Sequence, residues 1–325
     1  MSLILKGGKI LNKGYKGAVM DLYNEDKKDD KTLYEELLKE NPDEIKLISF
    51  DKEIIVDNSE IEFILDQLKK NSKITLAKKF LFGNILFGSN KKNFHNELTG
   101  YKDLAKIFKK DLSKYTTIKK GFSYKKNEIY GIIFNKHFYI FLEKCYKTLD
   151  KINFTEKTLN KCIKEITEVL EILKENNYIH NDIKPDNIIL CKNRFKLIDW
   201  ESSNYIKDQA STFVNSKNGN LVFNHPIKFY KIGLPFIMYK YIYDAEIITY
   251  NFLKNLKMPE IITKEVENTF NKVVENYKKN KNFYLEMADS YSFAITIIYL
   301  AEINNITNYN KKFISNTLSN YFIYL

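Results

Sequence analysis

Residues 178–201 constrain this chain more than any other stretch. They read Tyr-Ile-His-Asn-Asp-Ile-Lys-Pro-Asp-Asn-Ile-Ile-Leu-Cys-Lys-Asn-Arg-Phe-Lys-Leu-Ile-Asp-Trp-Glu. Two short apolar runs, Ile188, Ile189, Leu190 and then Phe195, Leu197, Ile198, flank the polar turn Lys192-Asn193-Arg194, which is the pattern of a hairpin of two strands. Such a hairpin fixes the distance between the residues at its open end, Asn187 and Asp199. Both offer hard oxygen donors of the kind a small divalent cation prefers. A third oxygen-bearing side chain, Asp182, and a cation, Lys184, lie just upstream.

At these residues the chain resembles the eukaryotic-type protein kinase superfamily. Its catalytic loop reads His-Arg-Asp-Leu-Lys-x-x-x-Asn and its metal loop Asp-Phe-Gly. The resemblance implies roles residue by residue. Asp182 orients the acceptor hydroxyl and takes its proton. Lys184 approaches the γ-phosphate as a point charge, and Asn187 and Asp199 hold Mg²⁺. Moving a phosphoryl group needs positioning and charge neutralisation more than covalent help, which is why these residue types suit it. Two departures stand out: Asn181 occupies the usual arginine position, and Asp199-Trp200-Glu201 replaces Asp-Phe-Gly. With no arginine at 181 to receive a loop phosphate, activity is expected not to depend on phosphorylation of the following segment.

Further matches extend the resemblance along the chain. Asn12-Lys13-Gly14-Tyr15-Lys16-Gly17-Ala18-Val19 fits the glycine-rich loop at Gly14, Gly17 and Val19, with Asn12 in place of the first glycine. Two glycines in a lysine-rich turn also fit an ordinary hairpin. Ile74-Thr75-Leu76-Ala77-Lys78-Lys79-Phe80 resembles the strand bearing the phosphate-pairing lysine. Because side chains alternate on a strand, Ala77 and Lys79 share a face, so Lys79 is the expected lysine and Lys78 the second choice. Glu97, in a helix-like stretch, is the candidate for the ion pair that aims it. His137–Cys145 resembles the strand entering the hinge, which implies adenine contacts at the backbone of Glu143 and Cys145. Leu159, Ile163, Ile166, Leu170 and Leu173 recur at helical spacing and give an amphipathic helix leading to His180, itself read as a buried structural histidine. The segment from Ser202 through Gly219-Asn220 to His225-Pro226 resembles an activation segment. Asp289-Ser290-Tyr291-Ser292-Phe293-Ala294 resembles Asp-x-Trp-Ser-x-Gly, whose aspartate ties the catalytic loop's backbone to a buried helix.

The fold these matches imply is α+β and bilobal, with a small antiparallel-sheet N-lobe over residues 1–144 and a mainly helical C-lobe over 145–325. Two stretches depart from the family layout and read as insertions, at about 24–72 and about 228–286. Within the first, Ser59 is the expected N-cap of a helix with Ile61, Ile64, Leu65 and Leu68 on one face. A chain of 325 residues, 44% of them hydrophobic and 14% aromatic, has enough apolar mass to give each lobe a core.

The net charge of +11 permits contact with nucleic acid. Lysine, asparagine, isoleucine, tyrosine and phenylalanine are all abundant, however, and Arg194 is the single arginine. That is a compositional bias spreading lysines over the surface rather than a recognition patch, and it removes the guanidinium forks that read guanine. Nucleic acid is therefore not the expected primary ligand. Cys145, Cys162 and Cys191 lie far apart, without metal-ligand spacing. The N-terminal apolar stretch is too short for a signal h-region, and no run of about 18 apolar residues is present to span a bilayer. The expected location is the cytoplasm, or a host cytoplasm or virion if the chain is viral, since bias and layout also resemble divergent kinases of large DNA viruses. The expected activity is ATP- and Mg²⁺-dependent phosphorylation of serine or threonine in protein substrates, because Lys184-Pro185 resembles the Ser/Thr branch. Ile198-Asp199-Trp200-Glu201 is also similar to the metal loop of aminoglycoside and choline phosphotransferases, which keeps a small-molecule acceptor as the alternative. A non-catalytic binding protein on the same fold is the other.

Overall fold

The computed structural model describes residues 12–13, 17–23, 32–40, 42, 44–72, 75–80, 90–135, 137–145, 147–149, 152–208, 281–314 and 316–317. The chain divides into two compact units, Met1–Tyr146 and Lys147–Leu325.

The first unit is built on a seven-stranded antiparallel sheet. In chain order its elements are β1 (Asn12–Lys13), β2 (Gly17–Asp21), α1 (Leu33–Glu40), β3 (Ile45–Ile48), β4 (Glu53–Val56), α2 (Ile61–Asn71), β5 (Thr75–Phe80), α3 (Asn90–Phe108), α4 (Leu112–Tyr115), a separate hairpin of β6 (Phe122–Tyr124) and β7 (Asn127–Ile129), then β8 (Gly131–Phe134) and β9 (His137–Glu143). The strand order is β1-β2-β5-β9-β8-β3-β4. β9 shows why the sheet is covered on both faces: Phe138, Tyr139, Ile140 and Phe141 are consecutive and all buried. Alternation sends Phe138 towards α3, where its ring lies 5.0 Å from that of Phe94. Tyr139 and Phe141 turn the other way, into a core shared with Leu33 and Leu37 of α1 and Ile64 and Leu68 of α2.

The 24–72 stretch therefore does two jobs in this unit. Its β3–β4 hairpin lengthens the sheet from the β8 edge, pairing Leu47 with Ile132 and Ile54. Its helices cover the face opposite α3, each presenting leucines or isoleucines four residues apart. α1 starts at Thr32, whose hydroxyl accepts from Glu35 N–H at 3.1 Å. α2 does not start at Ser59 as expected. Asn58–Glu60 forms a 3₁₀ turn with Glu60 at the N-cap position and no side-chain cap bond; the Glu60 carboxylate accepts instead from Tyr124 Oη and Lys125 Nζ. β8 and β9 approach closely at Gly131, where a Cβ would lie 2.3 Å from the Tyr139 carbonyl oxygen.

The second unit contains β10 (Lys147–Thr148), α5 (Glu156–Glu175), β11 (Tyr178–Ile179), β12 (Ile188–Cys191), β13 (Arg194–Leu197), β14 (Asn204–Tyr205) and α6 (Lys281–Ile303). α5 is capped by Thr155, whose Oγ1 accepts from Thr158 N–H at 3.3 Å. Its buried stripe holds the five expected residues, joined by Cys162 and Val169. α5 packs against α6 and β13, and α6 also lies against β11. The residues of α6 from Tyr291 to Ile298 are all buried, as the apolar run after Asp289 anticipates. No helix among the described residues is long and apolar enough to cross a membrane.

Candidate active site

The turn between β11 and β12 is held from beneath by α6. Asp289, 5% exposed, accepts from the backbone N–H of His180 at 2.6 Å and of Asn181 at 2.8 Å. Charge-assisted bonds of this kind are short and strong, and they hold Asn181 in the left-handed region, φ 69°. His180 is fully buried beside this anchor. Its Nδ1 accepts from Asp182 N–H at 3.3 Å and its Nε2 lies 2.9 Å from the Ile198 carbonyl oxygen, which defines the neutral tautomer protonated at Nε2. Burial pushes its pKa down against the opposing pull of Asp289 and Asp182.

That depression has a sign. An unfolded histidine takes up a proton near pH 6.5 while the folded His180 resists it, so its contribution to stability is complete above that pH and is lost as pH falls towards the folded value. Thermal melts from pH 7.5 to 5 will show the wild type losing stability more steeply than His180→Gln; equal slopes would mean that His180 does not contribute.

Three polar side chains converge above the histidine. Asp182 Oδ2 accepts from Lys184 Nζ at 2.8 Å and from Asn187 Nδ2 at 2.9 Å, and Asn187 Nδ2 also donates to the Asp182 carbonyl at 2.8 Å. Both Nδ2 bonds point one way, which turns the amide oxygen of Asn187 to the other side. Burial pulls the Lys184 ammonium down, but the charge and hydrogen bond of Asp182, with Asp199 and Asp186, outweigh it and hold its pKa above the usual lysine value. The lysine thus stays charged at neutral pH.

The β12–β13 hairpin then carries the chain to Asp199. Its ladder runs from Cys191↔Arg194 to Ile188↔Leu197 and is continued by Ile198 N–H donating to the Asn187 carbonyl at 2.9 Å. Asp199 adopts φ 67° and ψ 61°, a left-handed conformation that a short polar side chain tolerates better than most. Trp200, fully buried, locks this turn: its ring centroid lies 4.4 Å from that of His180 and its Nε1–H donates to the Leu197 carbonyl at 3.2 Å. Beyond it, hydrogen bonds and strand pairing hold Ser202 through Tyr205. Asn181 Nδ2 reaches the Ser202 carbonyl at 3.4 Å, Ser203 Oγ donates to the Trp200 carbonyl at 2.6 Å, and β11 pairs with β14. Gly219-Asn220, His225-Pro226 and residues 228–280 of the second expected insertion lie outside the described residues.

In the first unit the expected lysine moves by one position. Lys78 pairs with the buried Glu97 of α3, the partner expected for Lys79, Nζ to Oε2 at 2.5 Å. The reason is register. Cross-strand partners share a face, and Lys78 lies opposite Ile140, whose face looks to α3, whereas position 79 lies opposite Tyr139, whose face is covered by α1 and α2. The analogy with Ala77 could not reveal this, because which face meets α3 depends on β9. Gly17 begins β2, and Val19 stands in register with Lys78; Gly14 lies outside the described residues. Glu143 ends β9, and its N–H donates to the Thr117 carbonyl at 2.7 Å; Cys145 follows two residues later, its Sγ 3.4 Å from the Glu143 carbonyl oxygen.

An antiparallel-sheet lobe bearing a lysine–glutamate pair and a mainly helical lobe bearing an Asp–Lys–Asn cluster anchored on a buried helix define a bilobal kinase-like fold. The protein kinase domain family matches residues 64–226, half of the chain, and the chain belongs to that family. The matched region contains Lys78, Glu97, Asp182, Lys184, Asn187 and Asp199, and it begins after the glycine pair and ends before Asp289. Over 70 residues, 21% of this chain, it is 39% identical to the dual specificity protein kinase zak2 of Dictyostelium discoideum, a match spanning 11% of that relative's length.

Proposed function

We propose that the protein transfers the γ-phosphoryl group of ATP, with Mg²⁺, to serine or threonine hydroxyls of protein substrates. The observation that carries this reading is the Asp182 carboxylate held in a fixed pose by Lys184 and Asn187. Asp182 accepts the hydroxyl proton as the new bond forms. Lys184, kept protonated by its carboxylate neighbours, offsets charge on the transferring group. The metal suits the donor set: the Asn187 amide oxygen is turned away from Asp182, Asp199 adds a carboxylate, and both are hard oxygen ligands. Bound there, Mg²⁺ would neutralise phosphate charge. Lys78, aimed by Glu97, takes the phosphate-pairing role, with the backbone at Gly14 and Gly17 over the phosphates, Val19 over the adenine, and the backbone at Glu143 and Cys145 along its edge.

The acceptor is set by experiment. Purified protein is incubated with γ-labelled ATP and Mg²⁺, with generic protein substrates and with a panel of small amino alcohols. Label on serine or threonine that vanishes in Asp182→Asn supports the proposal. Label on tyrosine as well would broaden it to dual specificity, as the name of the zak2 relative states for that protein. Label confined to a small alcohol would overturn it in favour of a phosphotransferase.

The same assay separates the two lysines. Lys78→Ala will lower kcat/KM for ATP about 100-fold, since a charged group aimed at the phosphates is lost. Lys79→Ala will stay within about threefold of wild type. The reverse ranking would return the role to Lys79.

A further inference from the structure

β13 is the outer strand of its sheet, whose order is β10-β12-β13. In an antiparallel ladder alternate N–H groups point away from the partner, and on an outer strand these need another acceptor. Phe195 N–H finds one on α5: it donates to Glu165 Oε2 at 2.9 Å. One turn along the same helix face, Glu168 Oε2 accepts from Arg194 Nη2 at 2.5 Å, and one turn back Lys161 Nζ donates to the Asn193 carbonyl. α5 thus grips three consecutive residues at the closed end of the hairpin. Arg194 is the single arginine of a chain with 52 lysines and arginines, and its guanidinium meets the Glu168 carboxylate through Nη2.

The open end of the same hairpin carries Asn187 and Asp199. It is stiffened by Ile198, whose N–H donates to the Asn187 carbonyl and whose carbonyl accepts from His180. A hairpin clamped at one end and bonded across at the other acts as a spacer bar. We propose that Glu165 and the Arg194–Glu168 pair are positioning residues that set the separation of the Asn187 and Asp199 oxygens, and with it the affinity for a divalent cation. This rests on the reading that those two residues hold the metal.

The test is titration of the full chain with Mn²⁺ in the presence of saturating ADP, read by electron paramagnetic resonance. Glu165→Ala will weaken Mn²⁺ binding about tenfold, the lower end of what outer-shell partners contribute. Glu165→Gln keeps an acceptor oxygen and will stay within about twofold. Arg194→Lys keeps the charge without the fork and will fall between them. A Glu165→Ala protein that melts lower but binds Mn²⁺ like wild type would overturn the proposal, because a purely structural bond lowers stability alone. If Glu165→Ala does not fold, Glu165→Asp, one methylene short of Phe195, decides by the same criterion. Phosphoryl transfer by the wild type is measured alongside. Normal Mn²⁺ affinity with no transfer would defeat the proposed function and leave the affinity comparison valid, whereas Mn²⁺ binding indifferent to Asp199→Asn would overturn the present inference at its root.

Discussion

Asp182→Asn will lower kcat about 10²- to 10⁴-fold while leaving nucleotide affinity within a few-fold of wild type. The substitution is nearly isosteric, so an amide oxygen remains to accept from Lys184 Nζ and Asn187 Nδ2, the two donors that meet Asp182 Oδ2 in the wild type. What the amide cannot do is take a proton, and positioned proton transfer is worth about that factor. A second loss adds to the first. With the Asp182 charge gone, burial weighs more heavily on Lys184, whose pKa is held up chiefly by that carboxylate, and the ammonium becomes easier to deprotonate. Steady-state turnover and direct nucleotide titration together check the prediction. A variant within tenfold of wild-type kcat would show that Asp182 is not the base.

The largest effect on stability will come from Asp289. Its carboxylate receives two buried backbone N–H groups, from His180 and Asn181, one on each oxygen. Removing it in Asp289→Ala leaves both donors unsatisfied at about 1–3 kcal/mol each, for a loss of about 4 kcal/mol. Asp289→Asn keeps one acceptor oxygen, so it will retain one of the two bonds and lose roughly half as much. Because these bonds hold Asn181 at positive φ just before Asp182, Asp289→Ala will also lose activity under conditions where it remains folded. Chemical denaturation of the three proteins gives the ranking. An alanine variant within about 1 kcal/mol of wild type would mean that water replaces the carboxylate.

Much of this site could be read from residue order, because its geometry is local. Asn187 and Asp199 are joined by a tight hairpin whose turn and apolar runs are contiguous, so their spacing is a property of one short segment. The amphipathic stripe of α5 is likewise a local periodicity, and the structure buries every residue expected on it. Ser59 shows the limit of local rules. Ser59 has the chemistry of a cap residue, yet Tyr124 and Lys125, more than sixty residues away, bond the Glu60 carboxylate and Glu60 takes the N-cap position.

From the sequence alone, the polar grouping of Asp182, Lys184 and Asn187, the hairpin that runs from it to Asp199 and the tie to Asp289 could be named, since each depends on residue identity at short spacing or on a motif within one helix. Only the tertiary structure decided which lysine meets Glu97, because the faces of β5 are told apart by β9, which comes some sixty residues later. It alone showed that the stretch at 24–72 lengthens the sheet and covers its second face, because an apolar helix face does not specify in advance which surface will bury it. It alone brought Glu165 and Glu168 to the outer edge of β13, since the N–H groups that need them exist as unpaired donors only once the strand order is set.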